Sequence, residues 1–127
     1  MIRRPTPRLA LYAWHRAALR GERPAVHEGL PECGWFRTRL VRLGAWAPAS
    51  IWVENVIDPA TGDLTEPEVY RCLVDGERRN PVTAWISLAS NPISREAHDR
   101  LVEARERRPE IRATLTRFDN SRSPARP

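Results

Sequence analysis

The stretch "RLVRLGAWAPASIW", Arg39 to Trp52, decides the fold. It reads as two short strands around a turn, with arginines on the first and tryptophans beyond. On its N-terminal side, "WFRTRLVRL" (35–43) has the aromatic and β-branched content of a strand. Gly44 and Pro48 punctuate the connection and place Trp46 in the turn. "ASIWVENVI" (49–57) reads as the second strand, with Ile51 and Val53 on one face and Trp52 and Glu54 on the other. "DPATGD" (58–63) is a turn by composition. "EVYRCLVDG" (68–76) is predicted as a third strand, in which Val69, Arg71 and Leu73 alternate against Tyr70, Cys72 and Val74 before Asp75-Gly76 turns the chain.

Helices flank this β region. Thr6 and Pro7 form a capping hydroxyl followed by proline, and "RLALYAWHRAALR" follows as one helix. Its expected face is Leu9, Tyr12, Ala13 and Ala17, and Gly21 closes it. Residues 21–34 hold two prolines and three glycines and read as a connector. Asn80-Pro81 repeats the cap-then-proline device before "PVTAWISLA", where Val82, Trp85, Ile86 and Ala89 recur at helical spacing. Asn91-Pro92 ends that helix. Ser94 caps a last one, "REAHDRLVEARERR", with a narrow apolar stripe of Ala97, Leu101 and Ala104, stopped by Pro109. "IRATLTRF" is either a short strand or an extended tail. The expected architecture is α+β: a small, strongly bent antiparallel sheet or SH3-like barrel over about 35–76, with an N-terminal helix and two C-terminal helices. Residues 1–5 form a flexible basic arm, 6–118 a single domain, and 119–127 a disordered tail.

A chain of 127 residues that is 41% hydrophobic can bury one core. The net charge is +5, and every basic residue is arginine. With no lysine present, Schiff-base chemistry and phosphate-loop lysines are excluded. Arginine stays charged, forks onto phosphate or carboxylate, and stacks on bases and rings. Its distribution is uneven: nine arginines stand against three acids over residues 1–53, one against seven over 54–77, and eleven against six over 78–127. Whether these blocks separate in space depends on the fold. Cys33 and Cys72 have no CxxC spacing, and neither a secretory leader nor a membrane-length apolar run is seen. A cytoplasmic protein with two reduced, buried thiols is expected.

The segments "YAWHRAALRGERP", "GWFRTRLVRLGAWAPASIW", "TGDL", "EVYRCLVDGE" and "NPIS" resemble small uncharacterised proteins of tailed phages and prophages of GC-rich proteobacteria. The resemblance covers roughly residues 11–102. It departs from the shared pattern at Leu43, where glycine is expected, and at Ala45, where proline is. It implies a phage setting, in which DNA metabolism and counter-defence are common tasks. It carries no catalytic residue across.

The chemistry of the side chains narrows the function. His15, His27, Cys33, Cys72 and His98 lack zinc-ligand spacing, so no metal is expected. Cys33 and His27 sit in a proline-rich connector with no third orienting group, so no catalytic dyad is assigned. Glu54, Asp58, Asp63, Glu66 and Glu68 cluster around a turn and could hold Mg²⁺ for phosphodiester hydrolysis, but the lysine such a centre wants is missing. Arginine interleaved with aromatic residues is the strongest signal. Alternation places Trp35, Arg37 and Arg39 on one face of the first strand and Arg42 on the other, with Trp46 and Trp52 within reach. Such groups suit phosphate contact and base stacking. The plainer alternative is that the tryptophans close a small core and the arginines keep its outside soluble. Trp14 and Trp85 are assigned to the core.

The sequence therefore points first to a non-enzymatic accessory protein that binds nucleic acid, DNA in the first place, through Arg37, Arg39, Arg42, Trp46 and Trp52. A protein-binding inhibitor or adaptor of anti-CRISPR type, contacting a host protein through the acidic 54–77 segment or the exposed last helix, is the second expectation. A small metal-dependent nuclease is the third. No catalytic residue, metal, small-molecule cofactor or membrane contact is expected.

Overall fold

The computed structural model describes residues 3–107. Two short helices, α1 (Arg8–Leu11) and α2 (Ala13–Leu19), lead through the connector into four strands, β1 (Gly34–Arg39), β2 (Trp46–Glu54), β3 (Val69–Val74) and β4 (Glu77–Arg79), followed by α3 (Pro81–Ala89) and α4 (Arg95–Arg107). The strands form one antiparallel meander in the order β1-β2-β3-β4. The α+β expectation holds as an open sheet, not a barrel. The far edge of β1 is sealed by the chain before α4: Arg37 N donates to Asn91 O at 3.1 Å and Ile93 N to Trp35 O at 3.0 Å. That seal leaves β1 no edge to offer β4, so the sheet cannot close on itself.

The strand boundaries differ from the sequence reading. β1 stops at Arg39, because Gly44 N donates to Val41 O and Leu43 turns through φ +62. Trp46 opens β2 rather than sitting in the turn. Pro48, taken as punctuation, is a buried residue within β2. It lies one residue beyond the last β2–β3 pair, Ala49 with Val74, where its carbonyl still accepts from Asp75 N at 2.8 Å and only the missing N–H goes without a partner strand. β4 was not anticipated. It is joined to β3 by Asp75 (φ +51) and Gly76 (φ +80), and the two left-handed residues make the Asp-Gly hairpin whose twist matches antiparallel strands.

Alternation along the strands sends two sets of side chains to opposite faces. The inner set, Phe36, Ala49, Ile51, Cys72 and Val74, packs with Trp14 of α2 and Trp85, Leu88 and Ala89 of α3. Trp14 and Trp85 meet edge to face at 4.8 Å, as their core assignment requires. The expected single N-terminal helix is broken at Tyr12 (φ −100, ψ 10), and its buried residues are Trp14 and His15; Leu9 and Ala13 are exposed. Thr6 does not cap it. Its hydroxyl donates to Glu68 Oε1 at 2.6 Å instead. Asn80 does cap α3, accepting from Val82 N, and Ser94 caps α4, accepting from Ala97 N at 3.1 Å.

The outer face of the sheet receives α4. His98, Val102 and Arg105 line a cleft with Pro48, Ser50 and Leu73. Arg105 is buried, whereas Ala104, expected in the apolar stripe, is exposed. Arg105 Nε donates to Asp75 Oδ1 at 2.7 Å and Nη2 to Oδ2 at 2.9 Å, which pins the end of α4 to the β3–β4 hairpin. Among the described residues, no helix is long and apolar enough to cross a membrane. The ambiguous 111–118 segment, the stop at Pro109 and the 119–127 tail lie outside the described residues.

Candidate nucleic-acid interface

β1 and the start of β2 build the site. Arg37 and Arg39 share the outer face of β1, and Arg39 is the register partner of Trp46. Both guanidiniums stand over the Trp46 ring, with carbon-to-centroid distances of 4.1 Å for Arg37 and 4.2 Å for Arg39. This geometry is cation–π contact on a half-buried tryptophan whose two partners are exposed. Neither arginine forms an ion pair with Asp or Glu among the described residues.

The five residues expected at the site do not all meet. Arg42 lies in the turn after β1, exposed, and not on the opposite face of a strand. Trp52 stays on the outer face of β2 but stands six residues from Trp46, which is about 20 Å along a strand. Between them on that face are Pro48 and Ser50, which α4 contacts. Trp52 pairs across to Arg71, whose Nε donates to Glu54 Oε2 at 3.1 Å. The two tryptophans therefore serve different ends of the sheet.

The sheet separates the charge blocks only in part. Glu54, Asp63 and Glu68 gather at the end opposite Trp46 and are met there by the chain's own arginines, whereas Asp75 lies at the near end, its N–H donating to Pro48 O at 2.8 Å. Arg3 and Arg4, expected in a loose arm, lie against Glu68 (3.6 Å) and Asp63 (3.4 Å), and Leu64 N donates to Arg3 O. Glu54 faces Arg71 and Arg78. Of the carboxylates considered for Mg²⁺, Glu54, Asp63 and Glu68 thus go to separate arginines, and Asp58 Oδ1 accepts from Ala60 N at 2.8 Å. Among the described residues, no group of three or more His, Cys, Asp or Glu is placed to hold a metal ion. Burial pushes the Cys33 thiol up to about 12 and Cys72 up to about 11, the wrong direction for a nucleophile. His15 is equally enclosed. Its Nε2–H is shared between Ile93 O (2.7 Å) and Trp35 O (3.1 Å), and burial lowers its pKa against the pull of those carbonyls.

Sequence reasoning missed Arg8 and Arg95. Arg8 stands 4.6 Å from the Tyr12 ring centroid and 6.0 Å from that of Trp35, and Arg95 stands 5.4 Å from the Trp35 ring. They come from the first and last helices, so no local spacing could pair them with β1. No family model matches the chain, and no curated protein or solved structure matches it.

Proposed function

We propose that this chain is a non-enzymatic, cytoplasmic accessory protein that binds nucleic acid through Arg37, Arg39 and Trp46, in a phage or prophage setting. The observation that carries the proposal is the placement of two exposed arginines, without acidic partners among the described residues, over one tryptophan on the sheet's outer face. Such arginines can turn their forks to phosphates, and the ring adds a stacking surface. The resemblance to small phage proteins supports the setting. The acidic segment is a weaker candidate for a partner surface, because Arg3, Arg4, Arg71 and Arg78 already lie against it.

The test is binding of labelled DNA across a salt series. The parent should bind, with log affinity falling linearly in log salt. Arg37→Ala and Arg39→Ala should each flatten that slope by about one unit. Trp46→Ala should weaken binding roughly ten-fold while leaving the slope nearly unchanged. Circular dichroism confirms that each variant folds. If folded arginine variants bind like the parent at every salt, or the parent does not bind, the arginines are a solubilising cover and a protein partner becomes the better reading.

A further inference from the structure

We infer that the interface continues along β1 to a second arginine–aromatic cluster, Arg8, Tyr12, Trp35 and Arg95, and that the strip these clusters form takes single-stranded rather than double-stranded nucleic acid. The inference rests on the nucleic-acid reading above and adds to it both an extent and a ligand class.

Three separate elements converge on the Trp35 ring. Tyr12, at the break between α1 and α2, stacks on it with centroids 5.0 Å apart and planes inclined by 28°. Arg8 of α1 and Arg95, the first residue of α4, bring guanidiniums to the same pair of rings. His15 braces the ring edge-on from below at 5.3 Å. The arginines are exposed, and neither has an Asp or Glu partner among the described residues. Trp35, Arg37 and Arg39 occupy one face of β1, so the two clusters lie along one line. Four residues separate Trp35 from Arg39, about 13 Å of strand.

The chemistry of this line selects the ligand. Its cations are planar and are held against rings, so each station offers a flat stacking surface together with N–H groups for a phosphate. A duplex presents phosphates but keeps its bases stacked and paired, where rings on a sheet cannot reach them. A single strand can splay its bases onto aromatic and guanidinium planes while its backbone follows the positive line. A cation array meant only for duplex phosphates has no need of the rings.

The experiment compares a labelled oligothymidine, an oligouridine and a duplex of the same length on the full chain. Single strands should bind at least about ten-fold tighter than duplex at equal salt, since stacking of even one or two bases supplies that ratio. The oligothymidine and oligouridine arms present single-stranded DNA and single-stranded RNA, and each should show the preference over duplex. Arg8→Ala and Arg95→Ala should each weaken single-strand binding several-fold and flatten its salt slope by about 0.7. Arg95→Lys keeps the charge but not the plane, so it should keep the slope and lose affinity. Arg100→Ala, exposed on α4 and outside the strip, controls for simple loss of charge and should stay within about two-fold of the parent. If Arg8→Ala and Arg95→Ala behave like Arg100→Ala while Arg37→Ala loses binding, the strip ends at Arg37 and the extension is wrong, with the nucleic-acid reading intact. Equal or tighter binding of duplex overturns the ligand class alone. No binding by the parent removes both.

Discussion

Asp75→Asn is the most informative single perturbation of the fold. Asp75 sits at φ +51, and asparagine tolerates that region, so the hairpin keeps its turn while the carboxylate charge is lost. What changes is the environment of Arg105. Its side chain is 8% exposed, and it makes two hydrogen bonds, of 2.7 and 2.9 Å, to the Asp75 carboxylate. Removing one partner of a buried pair costs about 3–5 kcal/mol, because the remaining charge stays out of water. The amide oxygen of asparagine still accepts one hydrogen bond, which sets the expectation near the low end, about 3 kcal/mol. A chain of 127 residues loses roughly 3–5 °C of Tm per kcal/mol, so the thermal midpoint should fall by about 10 °C.

The double variant Asp75→Asn with Arg105→Met separates the pair from the packing. Methionine at position 105 meets Leu73, Pro48 and Val102 without a charge to bury. The double variant should recover most of the loss and lie nearer the parent than Asp75→Asn does. Urea unfolding followed by tryptophan fluorescence measures all three proteins. A cost under about 1 kcal/mol for Asp75→Asn, or a double variant worse than the single, would refute the claim that this ion pair holds α4 on the sheet.

Two further outcomes follow from local geometry. Leu43→Gly should leave the protein as stable or raise its stability by up to about 1 kcal/mol, because leucine at φ +62 carries roughly 1–2 kcal/mol of left-handed strain that exceeds the entropic cost of glycine; a Tm drop of more than about 2 °C would contradict this. Stability should also fall at mildly acidic pH through His15, whose pKa burial holds below its ordinary 6.5: the unfolded chain protonates first, so the contribution is complete above about 6.5 and is lost as pH drops from there towards the lower folded value, and a flat unfolding free energy across that window would show the ring is not enclosed.

The parts of the fold that were legible in the sequence share one property: their signal is local. Asn80-Pro81 and Ser94 announce helix starts because a cap acts within three residues. The alternation of Tyr70, Cys72 and Val74 against Arg71 and Leu73 survives intact because one face of β3 meets the core, where Cys72 and Val74 are buried and Tyr70 packs against them. β4 was hidden because Glu77, Arg78 and Arg79 show no apolar alternation, although Asp75-Gly76 was a hairpin signal in plain view. The orientation of α4 was misread at Ala104 and Arg105 for a different reason. A charged residue turns inward only when a partner waits, and Asp75 is thirty residues away in sequence. At the candidate site, alternation alone put Arg37 and Arg39 together. It could not show that β1 ends before Arg42, or that α4 would cross between Trp46 and Trp52.

The allocation of arginines gives the nucleic-acid proposal its physical basis. Arg3, Arg4, Arg71, Arg78, Arg79 and Arg105 all lie against the chain's own carboxylates. Arg8, Arg37, Arg39 and Arg95 lie against rings instead. An exposed cation–π contact is worth only about 0.5–1 kcal/mol, comparable to thermal energy, and it leaves the guanidinium N–H groups unspent. A phosphate can therefore recruit such an arginine at little cost, whereas an arginine in an ion pair must first give up its carboxylate. Two like charges two residues apart on one strand face also repel each other, and an arriving anion relieves that repulsion. The ring-held arginines are the ones the fold keeps oriented yet releasable, so the strongest loss of binding should come from Arg37 and Arg39, while Arg71→Ala, which leaves Glu54 to Arg78 alone, should leave the salt slope close to the parent's.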